Sequence, residues 1–162
     1  MLFKGLSVHH RFVATICLVV ALVAPSCKKD NSVEANKTLV TPFYGISKTD
    51  QTGTVAEPDS DDWKPLSSVG MSFTWIAHPN PCEPGSGFVL QWRLQVADSV
   101  TITINDAPSH ALATPLSRRL AAGQYALTER LDGYQPAIYR VYFRIVRADS
   151  IYSTYGDVQV GS

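Results

Sequence analysis

Three cysteines, four histidines and one dense run of carboxylates are the residues of this 162-residue chain with the chemistry to react or to hold a metal. A thiol becomes a nucleophile or a ligand when a neighbouring base or cation holds it as thiolate. Cys82 sits in "HPNPCEPG" with no such partner near it, so it reads as a structural thiol. His78 and His110 lack His-x-x-x-His or Glu-x-x-His spacing and read as a turn and a loop residue rather than zinc ligands. Glu57, Asp59, Asp61 and Asp62 offer the oxygens that calcium requires. Their run has neither the glycine nor the closing glutamate of an EF-hand loop, and reads as a solvated acidic loop. Asp61, Asp106 and Asp157 are the carboxylates from which a glycosidase-type pair would be drawn, and nothing in their spacing requires it. No G-x-S-x-G, P-loop or dinucleotide fingerprint occurs. The expectation is a chain with no catalytic set, no metal and no cofactor.

The aromatic side chains are the remaining means of gripping a ligand, since a ring face stacks on a sugar. Trp75 and Trp92 fall on the apolar side of alternating runs and are expected in the core. Trp63 and Tyr142 are the candidates for ligand contact.

Cys27 has a different context. Met1–Arg11 carries Lys4 and Arg11, and Phe12–Ala24 is apolar without a charge. As a helix that run would span roughly 20 Å, short of a bilayer core of about 30 Å. A basic start, a short apolar core and small residues before Cys27 predict a signal peptide over residues 1–26. The stretch "LVAPSCKKDN" resembles the lipobox of bacterial lipoproteins, in the relaxed form common in Bacteroidota. The resemblance implies that Cys27 is acylated and becomes the first residue of the mature chain, held by its acyl chains in the outer membrane, on the periplasmic face or the cell surface. An ordinary cleavage at the same bond, leaving an unmodified thiol, is the alternative. With Cys17 removed and Cys27 acylated, Cys82 has no partner and the mature fold has no disulfide.

The elements that follow are simple in outline. Basic and acidic residues balance at 14 each, which argues against nucleic acid as a partner. Residues 27–62 are mostly polar and read as a tether and linker, in which "PFYGI" is a first strand or a hydrophobic clip. From Ser72 onward the hydrophobic period is two. Phe73, Trp75 and Ala77 share one face, as do Phe88, Leu90, Trp92, Leu94 and Val96. Val100, Ile102 and Ile104, then Tyr125 and Leu127, then Tyr139, Val141, Phe143 and Ile145 repeat the pattern. "ATPLSRRLAAG" allows a helical turn or an irregular strand. Gly- and Pro-rich turns separate the runs, which predicts an all-β, Ig-like antiparallel sandwich of six or seven strands over residues 63–162.

The order of the motifs carries a second resemblance, over roughly Ser72 to Val160. Pro79-Asn80-Pro81 is followed by Val100, Ile102, Ile104 and Asp106, then Ala122-Gly123-Gln124-Tyr125, then Ile138-Tyr139. This is similar to the C-terminal β-sandwich of type IX secretion sorting domains and to the Ig-like domain of FlgD-type hook-capping proteins. It implies the same sandwich fold and, for the first family, a role in secretion sorting. The combined expectation is an envelope lipoprotein displaying a non-catalytic domain for contact with a protein of unknown identity. A surface carbohydrate-binding module and a sorting-domain protein are the alternatives.

Overall fold

The computed structural model describes residues 42–161, which form nine strands and one short 3-10 turn, Ser67–Val69. Strands β3 (Met71–His78), β4 (Gly87–Leu94) and β7 (Gly123–Arg130) make a three-stranded sheet in the order β3-β4-β7. Strands β5 (Asp98–Ala107), β6 (His110–Leu120), β8 (Ala137–Arg147) and β9 (Ser150–Val160) make a four-stranded sheet in the order β6-β5-β8-β9. The strand pairs within both sheets are antiparallel. A small hairpin, β1 (Lys48–Thr49) with β2 (Val55–Glu57), precedes them. The expected signal segment and Cys27 lie outside the described residues, and no described helix is long and apolar enough to cross a membrane.

The predicted all-β sandwich is what forms, and period-two patterning is its cause. Phe88, Leu90, Trp92 and Leu94 of β4 are buried, while Arg93 between them is exposed. Val100, Ile102 and Ile104 of β5 and Tyr139, Val141, Phe143 and Ile145 of β8 supply the facing layer. Rings lock the layers together: Phe143 meets Phe73 edge-on at 5.6 Å and Trp92 at 5.4 Å. Such edge-to-face pairs add about 0.5–1.5 kcal/mol each beyond the area they bury. Tyr139, near the start of β8, turns its hydroxyl back to donate to the Gln135 carbonyl at 2.8 Å. That tie pins the corner between β7 and β8 in the manner of a tyrosine corner.

Three features differ from the sequence expectation. Trp75, expected inward, is 46% exposed. In β3, Phe73 opposes Trp92 but Trp75 opposes Gln91, so two steps along β3 match one along β4. A bulge of this kind reverses which face the next side chain takes. Val96 is exposed because β4 ends at Leu94 and the chain turns toward β5. Of the two readings of "ATPLSRRLAAG", the irregular strand is the one that forms: the segment lies mostly in β6, an eleven-residue edge strand broken by register shifts against β5. The packed domain also begins ahead of Trp63, since Phe43, Ser47, Thr49 and Asp62 are all buried. Of the two readings of "PFYGI", the clip is the one that forms.

Candidate functional site

The densest polar constellation lies where the clip crosses the outer side of β8 and β9. Arg140 of β8 registers with Asp157 of β9, and its guanidinium donates to both carboxylate oxygens at 2.7 Å. The Arg140 guanidinium also lies 4.6 Å over the Phe43 ring and 3.8 Å over the Tyr155 ring. Tyr155 donates its hydroxyl to Asp61 at 2.9 Å. Asp62 accepts the backbone N–H groups of Ser47 at 2.8 Å and Asp157 at 2.9 Å. Asn80, fully buried after Pro79, donates to the Ser47 and Asp157 carbonyls and accepts from Gln159 N–H, all at 2.9 Å. Two carboxylates, one amide and one guanidinium thus tie residues 43–62 to β9.

The electrostatics follow from burial. Desolvation pushes the Asp62 carboxyl up to about 6. The two N–H donors oppose the shift, and the neighbouring Asp157 charge adds to it. Asp157 is raised for the same first reason, with the Arg140 hydrogen bonds pulling it back down. Arg140 is held more firmly protonated, chiefly through its hydrogen bonds to Asp157. Asp61 is lowered by its hydrogen bonds with Asp59 and Tyr155. The acidic run therefore does not converge on a cation. Asp62 faces backbone donors, Asp61 faces a tyrosine, and Asp59 accepts the Asp61 N–H at 3.3 Å. Among the described residues no group of three His, Cys, Asp or Glu side chains is arranged to hold a metal ion.

The sequence candidates separate in space. Trp63, put forward as an exposed ligand contact, is 5% exposed and belongs to the core. Its indole lies against Gly156, where an added Cβ would stand 1.9 Å from the ring. The missing side chain of Gly156 is what admits the tryptophan, and a lone glycine in a strand was the only sequence signal of it. Tyr142 is half-buried on the outer face of the four-stranded sheet. It registers with Thr103 and Tyr155 and meets the Tyr155 ring edge-on at 6.1 Å. Trp63 and Tyr142 therefore do not share a surface.

The tryptophan that does face solvent is Trp75, on the other sheet. Its register partner Gln91 is paired in turn with Ala126, so indole, amide and methyl form one row across β3, β4 and β7. His78 meets the Trp75 ring edge-on at 5.6 Å. His110 pairs with Asp106 at 2.5 Å on the exposed β5–β6 hairpin. Burial pushes the Cys82 thiol up to about 11, and its Sγ donates to the Gln159 carbonyl at 3.3 Å. That thiol is held protonated and packed, as its sequence context predicts.

An open concavity of about 650 Å³ lies over Thr49, Asp50, Pro79, Pro81 and Glu83. A second of about 300 Å³ lies between Asp106, Asp132, Tyr134 and Gln135 at the end of the sandwich. A third of about 360 Å³ lies between β6 and β7. No protein-family model matches the chain, and no curated protein or solved structure matches it significantly.

Proposed function

We propose that the chain is a bacterial cell-envelope lipoprotein that holds a non-catalytic β-sandwich on the outer membrane for contact with another protein. The observation that carries this reading is Cys27 directly after a short apolar run with a basic start. One acyl chain gives only marginal binding, whereas two or more give durable attachment. The use of the buried polar groups supports a binding rather than a chemical role. Asp62, Asp157, Arg140 and Asn80 spend their hydrogen bonds on the fold instead of pointing into a cleft. Metabolic labelling with an acyl-chain probe tests the anchor. Incorporation into wild type and its loss in Cys27→Ala is the expected outcome, and equal labelling of both overturns the reading.

A second reading, carbohydrate binding at the cell surface, is favoured by the exposed Trp75 beside Gln91 rather than by Trp63. Ring stacking on a sugar with an adjacent amide donor is a workable recognition pair. A glycan array with wild type and Trp75→Ala tests it. Binding that disappears in the variant supports the reading, and binding that survives removes Trp75 from it. The sorting-domain reading rests on the motif order around Pro79-Asn80-Pro81 and Ile138-Tyr139 alone. Release of a processed C-terminal fragment during secretion would be its signature.

A further inference from the structure

We infer that the open seam between β6 and β7 is the contact site. There an extended segment of the partner protein pairs with the free edge of β7 and sets a carboxylate against Arg118. This deepens the display reading above and rests on it.

The argument begins with the four outer edges of the two sheets. The β9 edge is covered: Trp63 N–H donates to the Tyr155 carbonyl at 2.6 Å and Cys82 N–H to the Gln159 carbonyl at 2.9 Å. The β3 edge is broken by two register shifts and continued by the Thr49–Asn80 bridge. The β6 edge carries register shifts and Pro115, which has no N–H to offer. β7 differs from all three. Every residue from Gly123 to Arg130 registers with β4 without a shift, and no described strand pairs on its other side. A regular, uncovered edge is the template that strand addition uses.

The groove beside that edge supplies the specificity. Its volume of about 360 Å³ is bounded by Trp92, Leu116, Leu120, Tyr125 and Leu127, with Arg118 among them. Leu116 registers with Ile102 and Arg118 with Val100, and both partners point into the core. Arg118 therefore falls in the register row of Leu116 and Leu120, where it is exposed at the open seam between otherwise apolar neighbours. It has no carboxylate partner among the described ion pairs. A charge on an edge strand deters indiscriminate pairing. Here it also selects, because a strand that covers this exposed guanidinium must bring a carboxylate to it or strip it of water without replacement. A strand laid along β7 stands about 4.8 Å from it and turns alternate side chains toward the seam. The fitting segment is extended, apolar at alternate positions, and acidic at one of them.

The test uses the full-length, 15N-labelled chain in detergent. It is titrated with two capped heptapeptides of alternating Thr and Val, one with a central Glu and one with a central Lys. Amides 123–130 are expected to shift and gain exchange protection with the Glu peptide. The Lys peptide is expected to bind roughly two- to five-fold more weakly, the range of a surface ion pair. Arg118→Glu reverses the preference and Arg118→Gln abolishes it. Unmoved β7 amides at millimolar Glu peptide, or equal affinity for both peptides, overturn the inference. Protection of β7 that rises with protein concentration in the absence of peptide also overturns it, and makes a second copy the occupant. These results leave acyl labelling at Cys27 untouched, so failure of the groove and failure of the anchor are separate outcomes.

Discussion

The indole of Trp63 occupies the space that a side chain at Gly156 would fill. Each residue is the condition for the other. The glycine opens a slot in β9, and the tryptophan closes it while its backbone N–H donates to the Tyr155 carbonyl beside the slot at 2.6 Å. Residues 43–62 are carried onto the four-stranded sheet by this contact.

Gly156→Ala should displace the indole, since the added carbon would meet the ring rather than the end of a flexible chain. A cost of about 1–3 kcal/mol is expected, typical of overpacking. Trp63→Ala should cost about 3–5 kcal/mol. Urea unfolding of the two variants and their double mutant checks the coupling. Strict additivity would contradict it, because residues in contact share an interaction energy.

Arg140→Ala should destabilise by about 3–5 kcal/mol, because it leaves Asp157 charged, buried and without its ion-pair partner. Arg140→Lys should recover little, since an ammonium cannot donate to both oxygens or lie flat on Phe43 and Tyr155. Chemical denaturation at neutral pH measures both.

Stability should fall as pH rises from about 4 to about 6 through the Asp62 contribution. The folded carboxyl titrates at about 6 against 3.8 for the ordinary group, so the folded chain binds the extra proton in this window. A group raised on folding contributes stability that is complete below its unfolded value and lost as pH passes its folded one. The raised Asp157 carboxyl acts in the same direction. The separation at Asp62 corresponds to on the order of 3 kcal/mol at most. Denaturation from pH 4 to pH 7 should show a shallower slope for Asp62→Asn than for wild type, and parallel slopes would contradict the assignment.

Trp75→Ala should lower the unfolding midpoint much less than a core tryptophan would, because about half of the residue is in solvent. Trp92→Ala should cost about 3–5 kcal/mol, because the ring is buried between Tyr125 and Phe143. The pair, melted side by side, separates the surface tryptophan from the core one, which alternation alone does not do. Tyr139→Phe should cost about 0.5–1.5 kcal/mol by removing the tie to Gln135.

Much of the sandwich is legible in the residues themselves. The alternation from Phe88 to Leu94, from Val100 to Ile104 and from Tyr139 to Ile145 is a strictly local property. The pleat turns it directly into an inner and an outer face. The signal-like start and Cys27 are equally local, and they carry the proposed anchor. What alternation does not encode is where it slips. Trp75 faces out because β3 bulges against β4, and a bulge belongs to a pair of strands rather than to either one. Trp63 is buried because Gly156, far along the chain, leaves room for it. Arg118 faces the seam because of the register in which β6 pairs with β5, and no described strand pairs on the outer side of β7. Each depends on two segments distant in sequence and adjacent in space. By itself the sequence determined the class of fold and the expected point of attachment. Only the packing of the sheets decided which aromatic meets solvent and which strand edge remains open, because burial and pairing are properties of contacts rather than of residues.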